Sequence, residues 1–286
     1  MATTKTDFDY ALQHKYRVVT GGEFVPGVTT IIGVNDKPAL KWAAAAIAAE
    51  AAIENGRRKR TIVDNHRKWL CQSKGKTASS EKKRTLGNAG SDNEVYAHWC
   101  RGEFDRQWRA KADRGTRVHD VAERWSRGEA VSVPDSDIGF VNALETFHLE
   151  YLPKFHEVEC IVINREHSYG GRFDAICSLH DRDTAGTYLI DYKTGGKYDY
   201  EVALQAEGYL RAKLAVFQDD GYMLEPEDMP TLDGARTIYL GEDGHVTVSD
   251  PFENISHDDA WRAFLACREL FDANKSINDK LGKESE

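Results

Sequence analysis

Apolar residues recur along the chain in two rhythms: the period of about 3.6 that buries one face of a helix, and the alternation of two that buries one face of a strand. Near the start, Tyr16-Arg-Val-Val-Thr, the pair Gly21-Gly22 and Phe24-Val-Pro predict a strand, a turn and a strand, and Val28-Thr-Thr-Ile-Ile leads into a helix. The alanine-rich run from Lys37 to Ala52 predicts a helix, with Gly56 as its stop. From Arg57 to Gly90 the chain is basic and polar, few apolar residues recur at helical spacing after Cys71, and part of the stretch is expected to be mobile. Val95 to Trp125 reads as helix interrupted by Gly102 and Gly115, and Phe140, Leu144, Phe147 and Tyr151 predict another over about Asp137 to Tyr151. Three β-rich runs follow, Glu159 to Asn164, Gly170 to Leu179 and Thr187 to Lys193, which predict a central sheet. Helical spacing resumes from Lys197 to Phe217. Thr237-Ile-Tyr-Leu and His245-Val-Thr-Val flank a Glu-Asp-Gly turn as a hairpin would, and a last helix is expected over about Asp258 to Asn274.

This order, with no repeat of fixed period, predicts one α/β domain over residues 1–286. Residues 1–110 would be an N-terminal strand and helical extension with a basic insertion at about 57–90, and 111–286 the core with its C-terminal hairpin and helix. A chain of 286 residues buries enough apolar surface to fold without disulfides or structural metals. No apolar run reaches the roughly 18 residues of a membrane helix. The first residues lack the apolar core of a secretory signal, so the expected location is the cytoplasm, without membrane attachment. Cys71, Cys100, Cys160, Cys177 and Cys267 are widely spaced and form no CxxC pair, which predicts free thiols.

Net charge changes the picture. The total of −9 argues against a nucleic-acid partner, but between Gly56 and Arg117 seventeen Lys/Arg stand against seven Asp/Glu, a local +10 that leaves −19 for the remainder.

The candidate chemistry lies on the predicted sheet. In Leu189-Ile-Asp-Tyr-Lys the strand period puts Asp191 and Lys193 on one face, with Ile190 and Tyr192 on the other. Asp174 ends Tyr169-Gly-Gly-Arg-Phe-Asp, whose glycines permit close backbone approach, so two carboxylates are expected to converge. Phosphodiester hydrolysis needs a divalent cation to polarise the phosphoryl oxygen and activate water, and hard cations prefer carboxylate oxygens and waters. Lys193 would stabilise charge on the phosphorus centre or orient the attacking water. An Asp-x-Lys alone is common by chance, and an exposed ion pair is its plain alternative.

Order and spacing add to this. Gly115-Thr-Arg-Val-His119, Gly171-Arg-Phe-Asp174, Asp191-Tyr-Lys193-Thr-Gly195 and Gln205-Ala-Glu-Gly-Tyr209 follow one another along the chain. In that sequence the protein resembles the RecB-like branch of the PD-(D/E)xK nuclease superfamily, and Val28-Thr-Thr-Ile-Ile-Gly with the late hairpin is similar to phage-encoded exonucleases of that family. The resemblance implies a restriction-endonuclease-like α/β core, a mixed sheet flanked by helices. It makes His119, Asp174 and Asp191 ligands of Mg²⁺ or Mn²⁺, Lys193 the catalytic lysine, Gln205 and Tyr209 residues that face the site, and Glu159 a further acidic member. Relatives with an iron–sulfur cluster use three clustered downstream cysteines; only Cys267 follows the fourth motif here, so no such cluster is expected. No GxxxxGK[ST] loop is present, so no ATP hydrolysis is expected either.

The expected activity is therefore a metal-dependent DNA exonuclease in phage or bacterial recombination or end processing. Its partners would be DNA and a recombinase, annealing protein or helicase, and a homo-oligomer is left open. The alternatives are a structure-selective or restriction-type endonuclease and a catalytically silent DNA-binding subunit. Arg57, Arg58, Lys59, Arg60, Lys82, Lys83, Arg84, Arg117 and Arg172 are candidate phosphate contacts, with a solvated insertion as the plain alternative for the basic segment.

Overall fold

The computed structural model describes residues 5–35, 38–73, 78–181, 183–195 and 200–283. The chain divides into two compact units, Met1–Asn35 with Gly115–Glu286, and Asp36–Arg114.

The first unit is α/β, built on a mixed sheet of six strands in the order β6-β3-β4-β5-β7-β8. The strands are β3 (Lys154–Asn164), β4 (Tyr169–Leu179), β5 (Gly186–Lys193), β6 (Lys213–Leu214), β7 (Gly234–Leu240) and β8 (Val246–Ser249). All neighbours are antiparallel except β5 and β7. Parallel neighbours need a long crossover, and here it carries α9 (Tyr200–Leu210).

Helices cover both faces of the sheet. On one, α2 (Val28–Ile32), α9 and α10 (His257–Lys283) bury Val28, Ile31, Leu204, Tyr209, Ala260 and Phe264 against Phe173 and Leu189. On the other, α7 (Glu103–Ser126) and α8 (Ile138–Tyr151) bury Val118, Ala122, Phe140, Leu144 and Phe147 against Ile190, Tyr192 and Ile238. Alternation along β5 therefore sends Leu189 to one core and Ile190 and Tyr192 to the other, as a strand buried on both faces requires. A small third cluster joins Ala11 of α1 (Asp7–Ala11) and Tyr16 of β1 (Tyr16–Arg17) to Ile161, Ile163 and Met223; β1 pairs with β2 (Phe24–Val25).

Several elements depart from the sequence reading. Helix α1 was not foreseen, although Thr6 and Asp9 form a reciprocal capping box that marks its start. The helix expected over 197–217 stops at Leu210, and Lys213–Leu214 pairs with Val162 and Ile163. Beyond Leu210 the apolar spacing turns continuous (Leu214, Ala215, Val216, Phe217), and Ala215 and Phe217 pack on the third cluster. The expected first residues, 197–199, lie outside the described ones. Gly102 does end a helix, but Gly115 lies inside α7, which runs through it unbroken. The last helix, α10, extends to Lys283.

The second unit is helical: α3 (Pro38–Glu54), α4 (Lys59–Cys71), α5 (Ala78–Ala89), α6 (Asp92–Arg101) and the first turns of α7. Lys37, the expected start of α3, lies outside the described residues. Val63, Leu70, Val95, Tyr96 and Cys100 form its core, with Leu86 and Trp99 packed against them. The basic stretch expected to be mobile in part is largely α4 and α5; of that expectation, 74–77 lie outside the described residues. Apolar spacing did not reveal α5 because a cation helps to hold it. The Arg67 guanidinium donates to the carbonyls of Gly87 (3.0 Å) and Gly90 (2.9 Å) at its C-terminal end and pairs with Asp92 at 2.9 Å. All five cysteines are unpaired, and among the described residues no helix is long and apolar enough to cross a membrane.

Candidate active site

Strand register builds the site. The β4–β5 ladder pairs Ala175 with Ile190, and one step further along Asp174 and Asp191 stand opposite each other. The ladder ends there because the Asp174 carboxylate takes the place of a carbonyl: its Oδ2 accepts the Tyr192 backbone N–H at 2.5 Å. On the other side of β4, the pairs Val158–Ala175 and Cys160–Phe173 put Glu159 across from Asp174. Glu159 adopts φ 62°, a left-handed conformation uncommon for a residue with a Cβ. Glu159, Asp174 and Asp191 thus form a row of acids across three adjacent strands.

Helices bring the other groups. From α7, His119 Nδ1 lies 3.3 Å from Asp174 Oδ1. Burial opposes the imidazolium, but the Asp174 carboxylate outweighs it, joined by Asp191, and His119 titrates above the ordinary histidine value. On β5, Lys193 Nζ stands 2.5 Å from Asp191 Oδ2. Burial of the ammonium is outweighed by the Asp191 carboxylate, so Lys193 stays protonated, above the usual lysine range. From α9, Gln205 and Tyr209 share one helical face four residues apart. Gln205 Oε1 accepts Lys193 Nζ at 3.1 Å, and Gln205 Nε2 donates to Tyr209 Oη at 3.0 Å and to Asp191 Oδ1 at 3.5 Å. One amide therefore ties the lysine, the aspartate and the tyrosine together. Gly171 admits the tyrosine, since a Cβ there would lie 2.6 Å from Tyr209 Cε1.

His119, Asp174, Asp191, Lys193, Gln205 and Tyr209 thus converge, and Glu159 joins them. Burial pushes the Glu159 carboxyl up to about 7, Arg172 pulling it down and Asp174 and Glu123 adding to the rise. Glu123 was not foreseen. It lies one turn beyond His119 on α7, and the spacing His119-x-x-x-Glu123 was the available signal. Arg172 pairs with Glu159 at 2.7 Å and reaches His14 Nε2 at 3.4 Å, so two residues ahead of α2, His14 and Tyr16, also border the site.

Arg117 pairs with the buried Asp137 at 2.8 Å. In the second unit, Lys59 donates to Asn93 and Arg84 to the Ser73 carbonyl, Lys83 lies over Trp69, and Arg57, Arg58, Arg60 and Lys82 are exposed.

The donor chemistry suits a hard divalent cation. Asp191 Oδ2 and Glu159 Oε2 are buried oxygens, held by ion pairs to Lys193 and to Arg172 respectively. Among the described residues, no three His, Cys, Asp or Glu side chains are grouped as an ion would need them, because Asp191 is drawn to Lys193 and Asp174 to His119 and the Tyr192 N–H. No known family model matches the chain, and a search of curated proteins finds no relative.

Proposed function

We propose that the chain is a metal-dependent deoxyribonuclease with a restriction-endonuclease-like core, acting as an exonuclease on DNA ends. The observation that carries this reading is the apposition of Asp174 and Asp191 on neighbouring strands, one residue beyond the Ala175–Ile190 pair, with Lys193 Nζ 2.5 Å from Asp191 Oδ2. An exposed Asp-x-Lys ion pair would lack this setting: Asp191 buries its Oδ2 beside a second carboxylate, and its lysine is steered by a glutamine from another element.

Asp174, Asp191 and His119 would hold Mg²⁺ or Mn²⁺, which supplies polarisation of the phosphoryl oxygen and a lowered pKa for bound water. The chain's own groups do the rest. Lys193 presents a positive charge and N–H donors where negative charge grows on the phosphoryl oxygens. Gln205 fixes its direction, and Tyr209, lodged over Gly171, fixes Gln205. The Tyr192 N–H anchors one Asp174 oxygen, so that the carboxylate is oriented before substrate arrives.

Asp191→Ala is expected to abolish cleavage of linear DNA in Mg²⁺ while circular dichroism and melting remain those of a folded protein. Lys193→Ala should slow cleavage by about 10²–10³-fold, the usual cost of one preorganised electrostatic donor. An Asp191→Ala protein that still cleaves would overturn the site.

A further inference from the structure

The second unit holds a cleft of about 680 Å³ that the hydrolytic site does not use. Its size lies within the roughly 300–1,000 Å³ of small-molecule sites. It opens between α4, α5, α6 and the first turns of α7, and its walls are aromatic and basic in alternation. On α4, Trp69 is 52% exposed, a large apolar surface left in water. The His66 ring lies flat on its indole, with centroids 5.1 Å apart and planes 14° apart, and Lys83 Nζ approaches to 5.5 Å. Opposite, Arg106 stacks on Trp99 at 4.6 Å, its charge matched by Glu103 at 2.6 Å.

That leaves Lys83, Arg101 and Arg109 as the cations of the cleft, against Asp105. Arg101 and Arg109 are exposed and, among the described residues, form no ion pair. The two histidines add no positive charge at neutral pH. Burial, with His98 second, pushes His66 down to about 4, and burial also lowers His98; the rings share a hydrogen bond of 2.9 Å. The half-exposed Trp69 ring beside two arginines without an ion pair matches a ligand with a π-face and an anion a few ångströms apart, which is the chemistry of a nucleotide. Arg57, Arg58 and Arg60 of the same unit are also exposed, and cations beyond the cleft suit the successive phosphates of a strand rather than a free nucleotide.

We propose that this cleft is a nucleic-acid subsite that takes one unpaired nucleotide of a DNA strand, its base against Trp69 and its phosphate against Arg101 and Arg109. The choice of DNA rests on the proposed activity; the stacking site itself does not.

The test is fluorescence anisotropy of a labelled oligothymidylate with the full chain in chelator, where cleavage plays no part. Trp69→Ala should weaken binding by about 5- to 150-fold, the range for losing one stacked base, and Trp69→Phe should keep most of the affinity. Arg101→Glu with Arg109→Glu should reduce the salt dependence by about 0.7 in log–log slope for each phosphate that is no longer neutralised. Unchanged affinity in Trp69→Ala, or an unchanged slope in the arginine variant, would overturn the proposal. Thymidine monophosphate competing as well as the oligonucleotide would overturn the strand assignment. A protein that binds through Trp69 but never cleaves would sink the nuclease reading and leave this one standing.

Discussion

Replacing Gly171 by alanine puts a methyl carbon where the structure has no room. On the present backbone it would stand 2.6 Å from Tyr209 Cε1, 3.0 Å from Cδ1 and 3.2 Å from Val28 Cγ2. Tyr209 is 2% exposed and its hydroxyl accepts from Gln205 Nε2 at 3.0 Å, so the ring cannot swing aside without loosening the amide that also accepts Lys193. Overpacking a core costs about 1–3 kcal/mol, and a domain of this size loses roughly 2–4 °C in melting temperature per kcal/mol. A drop of roughly 2–12 °C is therefore expected. A shift of Gln205 by an ångström would also misdirect Lys193, at a cost of up to about a hundredfold in single-turnover cleavage. Adding Tyr209→Leu should restore part of the melting temperature, since it removes the ring that the new methyl meets, and none of the rate. Melting and cleavage both unchanged in Gly171→Ala would refute the claim that the missing Cβ seats the Tyr209 ring.

Two further outcomes follow from the charges. Arg117→Ala leaves the Asp137 carboxylate, 2% exposed, without its guanidinium, and should lower stability by about 1–3 kcal/mol in urea unfolding; Arg117 is itself half-exposed, so water softens the loss. An unchanged midpoint would refute that role. Glu159 has a folded pKa raised from 4.5 to about 7, so the folded state binds its proton more tightly and stability falls as pH rises through that window. Glu159→Gln should lose this part of the slope, and identical pH–melting profiles for both proteins would show that the carboxyl is not strained by burial.

The parts of the site that depend on local spacing were legible in the sequence. Alternation from Leu189 to Lys193 places the Asp191–Lys193 face, and the interval from Gln205 to Tyr209 is one helical turn. The convergence of Asp174 and Asp191 was expected from the glycines ahead of Asp174, and Glu159 from the resemblance alone; its register was not legible. Glu159 meets Asp174 through the β3–β4 pairing after a shift between Phe155 and Glu157, and nothing in the local pattern encodes that offset. Strand β6 has only two residues, too few for alternation to register, and its partner lies about fifty residues upstream. In the second unit the basic composition of α4 and α5 suggested solvated chain, because Arg67 is spent on helix-end carbonyls rather than on solvent. Arg117 and Arg172, candidates for phosphate contact, are paired with Asp137 and Glu159.

The proposed nuclease activity is tested by incubating end-labelled linear and closed-circular DNA, each single- and double-stranded, with the protein in Mg²⁺, in Mn²⁺ and in chelator, beside Lys193→Ala. Metal-dependent loss of linear DNA alone is expected, greatly slowed in Lys193→Ala, with circles intact. Nicked circles would contradict the exonuclease assignment, and no cleavage of any substrate with either metal would contradict the hydrolytic site itself.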